Sequence, residues 1–221
     1  MKRPLRPILV AIVGGSGAGK SRLADRLEHE LGRGVARLAL DDFYRDLSHL
    51  TFAQRQRVNF DHPRAIDWPC LDAVLRSCLA ERPVRVPQYD FAAHCRRAES
   101  RSMPPARVIL VDGLWLLRRP GVRALFDLRL FVECPERLRL SRRLARDVRE
   151  RGRTRASVLA QFRDHVTPMH DRFVAPQQRW ADVVLRSPVA EREVKALAHA
   201  LLNGGQASRL SPFSIVSLPV R

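Results

Sequence analysis

Residues Gly14-Gly15-Ser16-Gly17-Ala18-Gly19-Lys20-Ser21 fit the phosphate-binding pattern G-x-x-x-x-G-K-[ST] and directly follow the apolar run Ile8 to Val13. No other stretch restricts the fold as much. A phosphate loop must curl tightly enough to aim several backbone N–H groups at one anion, in conformations that a Cβ obstructs, which is why it is built of glycines. After it, Leu23, Leu27 and Leu31 recur every four residues with Ala24 beside them. This spacing predicts a helix that starts at the loop and turns its positive N-terminus toward phosphate. Lys20 then reaches the terminal phosphates of a nucleotide, and the Ser21 hydroxyl ligates Mg²⁺. The alternative is a glycine-rich turn that binds nothing, and the presence of every fixed position between a strand and a helix argues against it.

The chain has 221 residues, enough for one sizeable core and short for two independent domains. One domain over 1–202 with an inserted lobe is therefore expected. The formal net charge is +17, and Lys2, Lys20 and Lys195 are the only lysines among the basic residues. Such a charge fits a nucleic-acid binder, because phosphate neutralisation drives sequence-independent binding. It fits equally a drift of composition toward arginine, and that reading is preferred: the arginines are spread along the chain among acids, and aromatic platforms are sparse. Cys70, Cys78, Cys95 and Cys134 form no C-x-x-C pair and no grouping with histidine, so they read as reduced thiols of a cytoplasmic protein. Met1 to Val13 has the basic start and apolar run of a signal peptide, but the run is too short and ends in the phosphate loop. No stretch approaches the roughly 20 apolar residues of a membrane-spanning helix.

Along the chain, Val35 to Leu40 predicts a second strand that ends in Asp41-Asp42-Phe43-Tyr44. Open α/β sheets bind ligands at the carboxyl ends of their strands. Neighbouring strand residues face opposite ways, so only one of the two aspartates needs to enter a site, and an ordinary turn or helix cap stays open for both. Leu47 to Phe60 is polar and predicts a short helix. Asp67 as N-cap with Pro69 in the first turn opens another, carrying Leu71, Leu75, Cys78 and Leu79 and ending near Arg82. Val84 to Phe91 alternates with proline punctuation and predicts an edge hairpin. Residues 47–105 thus interrupt the strand-helix rhythm as an inserted lobe. The rhythm resumes with Val108 to Gly113, a nearly all-apolar strand ending in Asp112, an acid placed to steer Mg²⁺. Leu128 to Glu133 is the next strand, and a helix over 136–151 follows, with Leu138, Leu144 and Ala145 expected to pack inward. Its other faces carry Arg142, Arg143, Arg146, Arg149 and Arg151, with Arg153 beyond Gly152. Arginine binds phosphate oxygens in pairs and keeps its charge, although a basic helix end also suits the helix dipole alone. Thr154 to Val174 is expected to continue as helix, bent at Pro168, before a last strand over 181–186 and a closing helix over 189–202. The tail at 203–221 has no assignable pattern.

Taken together, these landmarks resemble the uridine-cytidine kinase family, relatives of phosphoribulokinase. The matching pieces are GGSGAGKS at 14–21, DDFY at 41–44, NFDHPRAID at 59–67, VPQYDFAAHCR at 86–96 and VILVDG at 108–113. They continue with RRLARDVRERGR at 142–153, Gln161, and TPMHDRFVAPQQRWADVVL at 167–185, in family order over about residues 8–186. NFDHP and YDF-x-x-H-x-R are the most specific.

The resemblance implies an α/β phosphate-loop kinase with a mostly parallel five-stranded sheet, flanking helices and an inserted substrate lobe holding a small β-hairpin. It implies ATP and Mg²⁺ as cofactors and phosphorylation of uridine, with cytidine alongside, at the 5′-hydroxyl. Asp41 matches the base that accepts the hydroxyl proton. Asp61 and Arg143 match residues that hold the ribose hydroxyls, and Tyr89, Phe91 and His94 the hairpin that grips the pyrimidine. Arg146, Arg151 and Arg153 correspond to a lid, about 142–155, that closes over the phosphates, and Gln161 to a further nucleoside contact. Family members are often tetramers, which implies a homo-oligomer. Two positions depart from the pattern. Asp112 stands where glutamate is usual, which can move the metal's water shell, and Asp42 stands where serine is common, which leaves a carboxylate pair beside the base. The rival readings are a related kinase acting on a sugar phosphate or pantothenate, which NFDHP and YDF-x-x-H argue against, and a nucleotide-dependent protein that binds nucleic acid.

Overall fold

A computed structural model describes residues 6–203. The expected tail, beyond Asn203, and the basic start of the leader-like segment lie outside these residues. In chain order the strands are β1 (Ile8–Gly14), β2 (Val35–Ala39), β3 (Val84–Asp90), β4 (Cys95–Met103), β5 (Val108–Gly113), β6 (Leu128–Glu133) and β7 (Val183–Arg186). The helices are α1 (Lys20–Leu31), α2 (Phe52–Gln56), α3 (Trp68–Leu79), α4 (Pro120–Arg123), α5 (Glu136–Arg151), α6 (Arg155–Gln161), α7 (Thr167–Met169) and α8 (Glu191–Leu202). Five strands form a parallel sheet in the order β2-β5-β1-β6-β7, while β3 and β4 pair antiparallel as a separate hairpin.

Both faces of the sheet are covered, so the central strands β1 and β5 carry no polar alternation. Leu9, Ala11 and Val13 of β1 face a core shared with Leu71 and Leu75 of α3, Trp115 and Phe173. Val10 and Ile12 face the opposite core, where Leu23, Leu27 and Leu31 of α1 meet Val194, Leu197 and Leu201 of α8. The four-residue leucine spacing is thus the buried stripe that the sequence predicts. Among the described residues no helix is long and apolar enough to cross a membrane.

Asp67 caps α3 by accepting a hydrogen bond from the Cys70 N–H at 3.1 Å, with Pro69 in the first turn, but the helix ends at Leu79, short of Arg82. The stretch from Leu47 to Phe60 holds only α2, opened by a Thr51–Gln54 capping box, and none of its five residues is buried. Packing therefore has nothing with which to extend it.

The largest correction concerns α5. Its buried residues are Arg139, Arg143 and Asp147, while Leu138 and Leu144 are half-buried and Ala145 is exposed. The inner face of α5 meets the backbone of the phosphate loop, not an apolar sheet: a Cβ added to Gly17 would stand 2.4 Å from the Arg139 carbonyl oxygen. A polar surface is matched by charged side chains. Nor is 154–174 one bent helix. Wider π-type turns at Phe162–Val166 and His170–Val174 flank α7, and the Thr167 N–H donates to the Phe162 carbonyl five residues back. Pro168, which has no N–H to give, is accommodated by this change of register.

Candidate active site

The carboxyl ends of β1, β2 and β5 open into one cavity of about 1030 Å³. At one end is the phosphate loop. Gly17 and Gly19 take φ of +79° and +98°, left-handed values that side chains resist. Lys20 Nζ donates to the Gly15 carbonyl at 3.0 Å, and Ser21 Oγ donates to Asp112 Oδ2 at 2.9 Å. The aspartate in place of glutamate still reaches the loop. Burial lowers the pKa of the Lys20 ammonium, with Asp112 and Asp41 pulling the other way. Burial raises that of Asp112, opposed by Lys20 and by the Ser21 hydrogen bond. Ser16, Gly17, Gly19, Lys20 and Ser21 line the cavity. Gly14, Gly15 and Ala18 form the back of the loop instead: a Cβ on Gly14 would lie 2.6 Å from the Val132 carbonyl, and Ala18 is fully buried.

After β2 the chain makes a 3₁₀ turn over Leu40–Phe43 that separates the two aspartates. Asp41 lines the main cavity, whereas Asp42 lines a second one with Arg37 and Arg101. Burial, and then the charge of Asp41, raises the Asp42 carboxyl's pKa.

At the far end stands the β3–β4 hairpin. Arg96 of β4 anchors it by donating to the Tyr44 carbonyl at 2.7 Å and to Asp67 at 3.3 Å. At its tip, Asp90 Oδ1 accepts from the N–H groups of Ala92 and Ala93, and His94 adopts a left-handed φ of +49°. This geometry brings Tyr89, Phe91 and His94 to the cavity wall. The His94 ring stacks on Phe60 at 5.4 Å, and Tyr89 packs on Tyr44 at 5.0 Å. The Tyr89 hydroxyl is buried without a hydrogen-bond partner. Burial raises the pKa of that phenol and lowers the pKa of His94, the latter helped by Arg153.

Between the two ends run Asp61 and the arginines. Asp61 Oδ2 accepts from Gln161 Nε2 at 3.1 Å, and its Oδ1 lies 3.6 Å from Arg143. Burial raises the Asp61 carboxyl's pKa, and Arg143 offsets part of this. Arg143 also donates to Ser16 Oγ and Gln161 Oε1, each at 2.9 Å. Arg146, Arg151 and Arg153 complete that wall; Arg153 donates to Gln161 Oε1, and Arg151 lies 4.6 Å over the Phe91 ring. Every other site residue predicted from sequence thus reaches this one cavity.

Sequence reasoning missed the aromatic backing of Tyr44, Phe60 and Phe52. It also missed Asp147 behind the arginines, whereas Arg142, already named with them on α5, donates to Ser187 Oγ at 2.8 Å from the cavity rim. Asp147 carried a signal, since Arg143 and Arg151 lie four residues to either side.

Left-handed glycines, a half-buried lysine and a wall of arginines fit a polyphosphate. Among the described residues no group of three or more His, Cys, Asp or Glu could hold a metal ion. Magnesium would rest on Ser21 and Asp112 and draw its remaining ligands from phosphate oxygens and water.

Comparison with known proteins agrees with this chemistry. The model of the phosphoribulokinase/uridine kinase family matches residues 9–194. The uridine kinase of Deinococcus deserti is 40% identical over 182 residues, covering 82% of this chain and 88% of that protein. The uridine kinase of Staphylococcus carnosus is 41% identical over 178 residues, covering 80% and 86%. In fold, the chain is similar to phosphoribulokinase from Rhodobacter spheroides, with a TM-score of 0.61 and 17% identity over 82% of this chain and 70% of that one. D-glycerate 3-kinase from Cryptococcus neoformans also gives 0.61, at 16% identity over 86% and 89%.

Proposed function

The chain belongs to the phosphoribulokinase/uridine kinase family of phosphate-loop kinases, and we propose that it phosphorylates uridine, with cytidine alongside, at the 5′-hydroxyl for pyrimidine salvage. The observation that carries this reading is the single cavity that joins the phosphate loop to an aromatic hairpin with an unpartnered Tyr89 hydroxyl. The names of the relatives point to the same acceptor.

Bound Mg-ATP supplies the transferable γ-phosphoryl group and part of the neutralisation of its charge. The loop N–H groups and Lys20 hold the phosphates, while Arg146, Arg151 and Arg153 close over them as a lid at about 142–155. Asp41 accepts the proton of the attacking hydroxyl. Asp61, oriented by Gln161 and Arg143, holds the ribose, and Tyr89, Phe91 and His94 grip the base within a lobe spanning 47–105. The reaction needs little more than position and charge stabilisation, and both kinds of group face this cavity. The four cysteines are unpaired thiols, which suits a cytosolic enzyme.

The test is ADP release with Mg-ATP across a panel of nucleosides, sugar phosphates and pantothenate. Uridine should give the largest stimulation, and Asp41→Asn should lower kcat by about 10²- to 10⁴-fold, the usual worth of a positioned base. No stimulation by any nucleoside would overturn the acceptor assignment. Full activity of Asp41→Asn would remove only the base.

A further inference from the structure

We infer that Asp147 is the positioning residue of the arginine wall, a buried carboxylate that gathers Arg143, Arg146, Arg151 and Arg153 before any phosphate arrives. The inference rests on the kinase reading above but concerns the phosphate end of the site alone. All four arginines line the cavity, and Asp147 stands behind them with no exposed surface. Its Oδ1 accepts from Arg146 Nε at 2.8 Å and lies 3.7 Å from Arg151 Nε. Its Oδ2 lies 3.3 Å from Arg143 Nε and 3.9 Å from Arg153, yet accepts no hydrogen bond. Asp147 thus holds Arg143 and Arg153 by charge alone, while their hydrogen bonds go to Ser16, Gln161 and Ser157.

Four groups that never lose their charge repel one another when crowded, and a buried carboxylate persists only among cations. Each condition is met by the other. Asp147, together with Asp61 at 3.6 Å from Arg143, sets two carboxylates among four arginines, so the wall stays cationic toward the cavity. The backbone of Asp147 acts in the same place: its carbonyl accepts the N–H groups of Gly152 and Arg153, where a φ of +61° at Gly152 turns the chain out of α5. One residue thereby fixes both the direction of the 151–153 segment and the side chains it carries.

Asp147→Asn keeps the shape and removes the charge. Inorganic tripolyphosphate with Mg²⁺, titrated by calorimetry, should bind this variant as tightly as wild type or more tightly, because the wall becomes more positive. At the same time kcat for nucleoside-dependent ADP release should fall at least tenfold, because the guanidiniums lose their common anchor. A kcat within twofold of wild type overturns the inference. So does a parallel loss of tripolyphosphate affinity and kcat, which marks a merely structural role. In ligand-free wild type, the Arg146 Nε–H resonance, identified by its loss in Arg146→Lys, should exchange slowly with solvent. Fast exchange refutes the anchor whether or not the aspartate variant folds. If wild type releases no ADP with any nucleoside, the acceptor assignment fails instead, and the tripolyphosphate and resonance measurements still decide the role of Asp147.

Discussion

Gly113 closes β5 one residue after Asp112, and Leu40 lies directly against it. A Cβ built on Gly113 would stand 2.4 Å from Leu40 Cβ, 2.7 Å from Cδ2 and 3.1 Å from Cγ. Carbon atoms settle at about 3.5–4.0 Å, so Gly113→Ala demands more than about 1 Å of movement. Leu40 has no exposed surface and cannot swing away. Its Cβ is fixed to the backbone, so the strain passes into the 3₁₀ turn itself. Overpacking of this kind costs about 1–3 kcal/mol. At about 2–4 °C per kcal/mol for a chain of this size, the melting temperature should drop by roughly 2–12 °C. Activity should suffer more than stability. The two clashing residues are the immediate neighbours of Asp112 and Asp41, the proposed metal ligand and base, and a misplacement of about 1 Å at such groups costs on the order of 10²-fold in rate. Steady-state kinetics with uridine and Mg-ATP beside a thermal melt would separate the two effects. Gly121→Ala serves as the control, since nothing lies within 4 Å of its added Cβ. A Gly113→Ala variant with wild-type kcat would refute the claim that this contact sets the position of the carboxylates.

Two other predictions test stability. Burial, aided by Arg139, pushes the His170 pKa down to about 4, so the folded chain keeps this ring neutral while the unfolded chain protonates it below about pH 6.5. The unfolded state therefore binds more protons between pH 6.5 and 4, and stability falls as pH drops through that window. After discounting for the partly exposed ring, the loss should be about 1–2 kcal/mol; urea unfolding at pH 7 and pH 4.5 should show it in wild type and not in His170→Gln, and equal losses would refute it. Gln177 is 1% exposed, accepts from the Leu117 N–H at 2.9 Å and donates to the carbonyls of Leu114 and Phe173 at 2.7 and 2.8 Å. Gln177→Leu leaves these buried groups unsatisfied and should cost about 3–5 kcal/mol. A wild-type melting temperature would contradict it.

The main sheet was legible because its strands are apolar on both faces, as Val108 to Val111 shows, and because Leu23, Leu27 and Leu31 had only a core to face. α5 was misread for the converse reason. Leu138 and Leu144 mark the inner face only if the helix packs on an apolar surface, and a sequence does not state what surface a helix will meet. The proposed phosphate end of the site lies in one contiguous loop that the sequence displays directly. The proposed acceptor end assembles residues some hundred positions apart, such as Asp61 and Gln161, and only the resemblance to known kinases drew them together. Tyr44 and Phe60 escaped notice because aromatic residues beside acids read equally well as core. Pro168 announced a disturbance, but whether a proline bends a helix or widens its turns depends on neighbours that lie elsewhere in the chain.

Arg143 rests one arm on Ser16 of the phosphate loop and the other on Gln161, with Asp61 beside it. An occupant that draws on Asp61 or Gln161 must therefore disturb a guanidinium already engaged at the loop. Thermodynamics makes such traffic two-way: the factor by which a ligand at the loop alters affinity at Asp61 is the factor by which a ligand at Asp61 alters affinity at the loop. Donor and acceptor affinities are then not separate properties of this chain, and each acquires a definite value only when the occupancy of the other is stated.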